Sequence, residues 1–308
     1  MRAPRPTAML ARLPGVGIRC MSAVPWLHLP WSALFAATAA SLSPRLRWPA
    51  LLLLGVAGAS AWRDGWLDGR AALPLALLLL AAAAVSPRRA HRLRLAGHLL
   101  FVVVALGLGF HAFPGFHALH VFGPAPLGPC AVPYGLSLPL DKPLIGLWPL
   151  LVLPWLHRRE SLRHSLLAAA GALAGAAVVC LGLALAMGFT AWDPHLPGIA
   201  AVWMLDNLLL VSLVEEALFR GYVQGGLQRL LGPRPDAAPL ALLAAAVLFA
   251  LAHLGGGWRW ALLAGLAGVA YGAAWRHGGL RAAVLAHFGL DALQFFLFVY
   301  PALGSCAP

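Results

Sequence analysis

Ten stretches of this chain are apolar over most of their length, at about 24–42, 48–62, 71–85, 95–113, 144–156, 165–189, 199–220, 239–254, 258–275 and 281–300. A hydrocarbon core of about 30 Å is crossed by roughly 20 apolar residues in helical conformation. Lipid offers no partner to a bare backbone, so only helices and closed barrels can span it. Ala and Leu dominate the runs and strict alternation is absent, which speaks against a barrel. Only 10% of the residues are charged and 61% are hydrophobic, whereas soluble domains carry about 25% charged residues. The expectation is an all-α protein, a polytopic transmembrane helical bundle of about 8–10 membrane helices. The 144–156 run is short and proline-bearing, so it is expected to be bent or partly interfacial, and 114–143 reads as a long loop.

The formal net charge of +12 does not point to nucleic acid, because the basic residues cluster in short loops between apolar runs. All are arginine except Lys142. Arg88, Arg89, Arg92 and Arg94 share one loop, Arg158, Arg159 and Arg163 another, Arg229 and Arg234 a third, and Arg276 and Arg281 a fourth. If the runs alternate, all four loops lie on one side, which is then cytoplasmic, while 114–143, 190–198 and the C-terminus face outward. Cys130 and Cys306 share the outer side and could pair. The first run conflicts with this scheme, since Arg2, Arg5, Arg12 and Arg19 precede it on the outer side. Either a span is miscounted or translation starts at Met21. The partition that follows is a tail at 1–20, N-terminal transmembrane helices of unassigned role at 21–160, and a helical bundle carrying the chemistry at 161–308. The four cysteines form no CxxC or Cys/His cluster, which argues against a structural zinc site.

The chain has ten acidic residues, and four fall inside apolar runs: Asp206, Glu215, Glu216 and Asp291. A charge near the centre of a membrane helix costs about 2.5 kcal/mol or more and generally faces a cavity or a partner. Glu216 and Arg220 are spaced i,i+4 with the acid first, the favourable order for an ion pair. Glu215 is turned about 100° from Glu216, which leaves it available for chemistry. Phe249 and His253 share one helix face, and His287 and Asp291 share another. Helical rise puts Glu215, His253 and His287 at similar depth, with the site expected to open to the cytoplasmic side. Asp206, about half a turn out of phase with Glu215, is expected to face away as a solvated cap. Trp192, Trp203, Trp258 and Trp260 read as interfacial anchors.

The ordered set Glu215-Glu216-x-x-x-Arg220, Phe249-x-x-x-His253 and His287-x-x-x-Asp291, with the stretch YGAAWRHGGLRAAVLAHFGLDA, resembles the CPBP family, the CAAX-protease and bacteriocin-processing intramembrane proteases. The resemblance covers roughly 165–300. It implies glutamate-dependent peptide hydrolysis without a covalent intermediate. Glu215 would be the base that activates water, His253 would hold that water, and His287 with residue 291 would stabilise the oxyanion. Glu216, Arg220 and Phe249 would support the site. The family often has asparagine where this chain has Asp291. That residue would be a protonated donor, or it would orient His287, or it would join Glu215, His253 and His287 as a divalent-metal ligand. The reading adopted is metal-free, with no cofactor.

The function expected is that of an intramembrane endopeptidase acting near a membrane anchor, in sorting-signal, leader-peptide or CAAX-type processing. Its partners would be a membrane-anchored protein or peptide substrate and the lipid bilayer, with no nucleic acid. Its place would be a bacterial inner membrane. A non-catalytic scaffold or immunity-type protein of the same fold, and a proton-coupled transporter, are the alternatives.

Overall fold

The computed structural model describes residues 28–157 and 160–305. Arg2, Arg5, Arg12, Arg19 and Met21, on which the start and orientation of the N-terminus turn, lie outside those residues, as do Arg158, Arg159 and Cys306. The described chain is a helical bundle. Helices α1 (Leu29–Ser41) and α2 (Arg47–Arg63) form one hairpin and α3 (Ala72–Ala84) and α4 (His91–Gly109) a second. The stretch read as a loop contains a small antiparallel ribbon, β1 (Leu119–Ala125) against β2 (Tyr134–Leu138), with Leu119 opposite Leu138. Then come α5 (Leu144–Val152), α6 (Leu162–Ala186), α7 (200–231), α8 (Ala237–Ala252) and α9 (Trp258–Leu297).

Local chemistry sets the ends. Ser161 caps α6 by accepting a hydrogen bond from the His164 N–H at 3.2 Å. Pro149 and Pro154 keep α5 to nine residues, because proline lacks the donor that continues a helix. Gly279 has φ +71° and ψ −170° in the middle of α9, a conformation open to glycine and costly for other residues. There α9 turns back on itself, and its two arms run in opposite directions.

Helices His91–Gly109, Leu162–Ala186 and Trp258–Leu297 are long and apolar enough to cross a membrane. Large side chains on the outside, Leu52, Leu79, Val103 and Val178 among them, are exposed. A helix apolar all round is a membrane span or a deeply buried helix; with these side chains turned outward, the chain is an integral membrane protein.

The bundle has two chemically distinct ends. At one, the Ser165 hydroxyl donates to Gly278 O at 2.8 Å, and a surface pocket collects Arg45, His157, Glu160 and Arg281. Arg229 packs over the Trp155 ring at 5.1 Å on the same end. At the other, Asp68 N–H donates to Gly115 O at 3.0 Å, and Trp31 Nε1 donates to Leu138 O at 3.1 Å. Segment 189–195 there is laced to 296–303 by backbone hydrogen bonds. We call these the arginine end and the ribbon end. Cys130, at the ribbon end, is disulfide-bonded. The backbone brings 304 to it, Gly304 N–H donating to Cys130 O at 2.7 Å. Cys180 is a free, buried thiol.

Two apolar clusters tie the first half of the chain to the second. In one, Phe101 of α4 stacks on Trp148 of α5 at 4.0 Å, in a core that continues to Leu213 and Tyr271. In the other, Trp203 of α7 stacks on Phe295 of α9 at 3.9 Å beside Trp31 of α1. The closest approach is between α5 and α7, where a Cβ built on Gly146 would lie 2.4 Å from Val214 Cα. Backbone cannot yield to such a contact, and overpacking costs about 1–3 kcal/mol. Gly146→Ala is therefore expected to lower the melting temperature in detergent. Gly171→Ala, with open space around it, should leave that temperature unchanged or raise it.

Candidate active site

The sequence VEEALFR places two carboxylates and a guanidinium on α7. Glu216 and Arg220 are both fully buried. Arg220 Nε lies 3.0 Å from Glu216 Oε2, an ion-pair distance whose angle is not that of a hydrogen bond. The guanidinium instead lies over the Phe249 ring at 4.8 Å and beside Tyr271 at 5.8 Å, a cation–π cage that partly replaces its hydration. The second oxygen of Glu216 accepts a hydrogen bond from His287 Nδ1 at 2.9 Å. Glu216 thus does more than neutralise Arg220: it also aims the His287 ring, a contact the spacing in the sequence gives no hint of.

Glu215 points away from this layer into a cavity of about 220 Å³. His253, the residue on which α8 ends, caps the helix with its backbone N–H and also donates Nδ1–H to Phe249 O at 2.8 Å. That leaves Nε2 as the lone-pair nitrogen, and it faces Glu215 Oε2 at 4.0 Å. On the opposite side, Lys142 Nζ stands 3.6 Å from Glu215 Oε1. The lysine is fixed from behind, since its own N–H donates to Asp141 Oδ1 at 2.8 Å and His111 Nδ1 lies 2.7 Å from Asp141 Oδ2. No spacing in the sequence ties Lys142 to Glu215, and its one signal is that it is the sole lysine among arginines.

His287 Nε2 faces Asp291 Oδ2 at 3.5 Å. Asp291 also accepts a hydrogen bond from Asn207 Nδ2 at 2.9 Å, and the Ser212 hydroxyl donates to Asn207 Oδ1 at 3.1 Å. Phe249 packs against both imidazoles, 4.5 Å from His253 and 5.8 Å from His287 between ring centres. Glu215, His253, His287 and Asp291, read from three separate segments, therefore meet around one cavity, and Glu216, Arg220 and Phe249 form the layer beneath it.

Three expectations are corrected. Asp206 is not a solvated cap: it is buried and lines the same cavity as Glu215. The cause is a π-helical segment, Asn207–Ser212, between the two residues. The i→i+5 pattern puts one extra residue in a turn and so rotates Asp206 by about 100° relative to a regular helix. Trp203 is not an interfacial anchor but a core residue, stacked on Phe295, and Trp260 lines the cavity. Of these four, Trp192 and Trp258 stand exposed. Finally, the cavity does not open toward the arginine end. Thr190, Trp260, Gln294 and Tyr300 line it, together with Tyr134 of β2, and these lie at the ribbon end. Burial pushes the Tyr134 phenol up, so it stays a protonated donor.

As to a metal, no three His, Cys, Asp or Glu side chains among the described residues converge so as to hold an ion. The Lys142 ammonium beside Glu215 is also a poor neighbour for a divalent cation.

Geometry and hydropathy together define an intramembrane helical bundle with a buried carboxylate–imidazole site. Residues 197–293 match the family model for type II CAAX prenyl endopeptidase Rce1-like proteins, so over that segment the resemblance to the CAAX-protease family holds. The match covers just under a third of the chain and contains Glu215, His253, His287 and Asp291, but not Lys142. No curated protein and no solved structure matches the chain.

The two glutamates are expected to separate in a stability assay. Removing one partner of a buried ion pair costs about 3–5 kcal/mol, so Glu216→Ala should lower the detergent melting temperature sharply. Glu215→Gln, at a cavity wall, should shift it little. Thermal unfolding of both purified variants beside the parent protein checks this.

Proposed function

We propose that the chain is an intramembrane endopeptidase that hydrolyses a peptide bond next to a membrane anchor, with Glu215 as the general base. The observation that carries the reading is the pairing of Glu215 Oε2 with His253 Nε2 at 4.0 Å. That separation is too long for a direct hydrogen bond and suits one bridging water. A water that donates one hydrogen to the carboxylate and the other to the imidazole lone pair is oriented by both, and Glu215 takes its proton as the oxygen attacks. No atom of the protein need become covalently attached to the substrate.

His287 supplies the complementary charge. With Glu216 at Nδ1 and Asp291 at Nε2, the ring satisfies both neighbours only when both nitrogens carry hydrogen. With both N–H groups engaged, the imidazolium at the cavity wall acts on the oxyanion through its positive charge as the carbonyl carbon becomes tetrahedral. Asp291 already accepts from Asn207 Nδ2, so it acts by orienting His287. Asn207 then offers the amide donor that residue 291 lacks. Proton balance closes on Glu215: it takes the proton from water and returns it to the departing amine.

Lys142 places a positive charge beside a carboxylate that must exist at membrane depth. It compensates the desolvation of an ionised glutamate without occupying the His253 side. The family model's name agrees with endopeptidase chemistry. Localisation in a bacterial inner membrane is part of the same proposal.

With a membrane-anchored test polypeptide, Glu215→Gln is expected to slow cleavage by about 10²–10⁴-fold, the usual contribution of a positioned base. Equal cleavage by parent and variant would remove the assignment and leave a scaffold of this fold. Lys142→Met should lower kcat at unchanged melting temperature, and Lys142→Arg should restore part of it, which a purely structural lysine would not show.

A further inference from the structure

We infer that the Glu215 cavity is entered from the extracytoplasmic face of the membrane, and that its substrate is an exported or outward-facing polypeptide whose segment beside the membrane anchor lies on that face. This rests on the reading of Glu215 as a hydrolytic base. Three independent observations converge on it.

The first is charge. Arg45, Arg47, Arg88, Arg89, Arg92 and Arg94 sit in the turns after α1 and α3 or in the first residues of the helices that follow, and Arg163, Arg229, Arg234, Arg276 and Arg281 in or beside the later turns at the same end. Among the described residues the ribbon end has only Arg63, Arg70 and Arg259 besides Lys142, and Arg63 is paired with Asp64 at 2.7 Å. An excess of arginine in short loops marks the cytoplasmic side, so the ribbon end is outside. The second is redox chemistry. Cys130, at the ribbon end, is disulfide-bonded, and disulfides persist in oxidising compartments and are rare in the cytosol. Arginine distribution and cysteine chemistry are separate properties of the chain, and they give the same orientation.

The third is the shape of the site. Toward the arginine end the cavity floor is solid: Glu216, Arg220, Gln224 and Tyr271 are at most 1% exposed and Phe249 only 2%, and Gln224 Nε2 donates to Gly272 O at 3.2 Å across the α7–α9 contact. A peptide arriving from the cytoplasm would have to part a buried ion pair. Toward the ribbon end the walls run past Asp206 and Asn207 to Thr190, Trp260, Tyr134 and Tyr300. The mouth is framed by extended chain, with Thr190 Oγ1 donating to Val299 O at 2.8 Å and Val132 N–H to Ala302 O at 3.0 Å. A prenylated cytoplasmic tail would meet the closed floor. A segment emerging outside a membrane anchor would meet the open mouth.

The experiment is side-specific thiol labelling of full-length protein carrying Cys180→Ala, with the Cys130 disulfide intact and the same protein without a reporter cysteine as the blank. Ala264→Cys reports the cavity wall, Trp192→Cys the ribbon end and Leu230→Cys the arginine end. The probe is a permanently cationic methanethiosulfonate that does not cross membranes, applied to spheroplasts and to sealed inverted vesicles. Ala264→Cys and Trp192→Cys are expected to react in spheroplasts and to lose that reaction in inverted vesicles, with Leu230→Cys showing the reverse. Reaction of Ala264→Cys only in inverted vesicles, or from neither side, overturns the inference. Labelling needs no catalysis, so failure of the hydrolase reading leaves this result intact and is recognised separately by unchanged cleavage in Glu215→Gln. As a second measurement, membrane-protein termini are compared in cells expressing the parent or Glu215→Gln. Segments trimmed outside the membrane support the inference, and trimmed cytoplasmic tails overturn it.

Discussion

Arg220 carries a charge into a layer of the bundle that water does not reach, and the rest of the site is arranged around that fact. A lone guanidinium there would be prohibitive. Glu216, one turn earlier on α7, supplies the opposite charge, and the rings of Phe249 and Tyr271 close the remaining faces. Because Glu216 also receives His287 Nδ1, the same carboxylate fixes the rotation of α7 and the position of the second arm of α9. Once Glu216 is committed inward, helix geometry leaves Glu215 about 100° away, on the cavity wall. The adjacent glutamates are thus not a redundant pair. One is held by the fold, and its being held is what presents the other.

The helix that bears them is not regular. Two π-helical segments, Asn207–Ser212 and Ala217–Gln224, bracket the glutamates. Each inserts a residue into a turn and shifts the phase of everything beyond it. The first brings Asp206 and Asn207 round to the face of Glu215, so that Asn207 can donate to Asp291. A regular helix would have sent those polar groups toward another side, with no partner to satisfy them. The irregularity has a cost in backbone geometry, offset by placing an amide donor next to a carboxylate that otherwise has only a histidine beside it.

Period and composition made much of this legible. Apolar runs gave the order of the helices, and i,i+4 spacing gave Glu216–Arg220, Phe249–His253 and His287–Asp291 as pairs on one face each. Those are local properties, and local properties are what a sequence states directly. Contacts between distant segments were not legible: Lys142 and Glu215 are far apart in the chain, as are Glu216 and His287. The reading of Asp206 failed for a different reason. A regular helix would set its phase half a turn from Glu215, and no residue between Asp206 and Glu215 announces a π-turn. The direction in which the cavity opens was missed because helical rise fixes depth within the membrane but says nothing about which end is plugged.

Helix α5 shows how the first half of the chain enters the chemistry. It is short because prolines end it, and it can lie against α7 because Gly146 offers no side chain to Val214. That contact sets the start of α5 at the level of Glu215, so the turn before it, with Asp141 and Lys142, lies within the bundle rather than above it. Asp141 is held by His111 and in turn holds the Lys142 backbone, leaving one flexible side chain free to reach the carboxylate. An ammonium is a compact point charge on a long stem, able to sit beside a single carboxylate oxygen where a planar guanidinium would demand a fixed fork of acceptors. The family match ends well short of this element. The first half of the chain thus brings one charge to Glu215, with Lys142 at one carboxylate oxygen and His253 at the other.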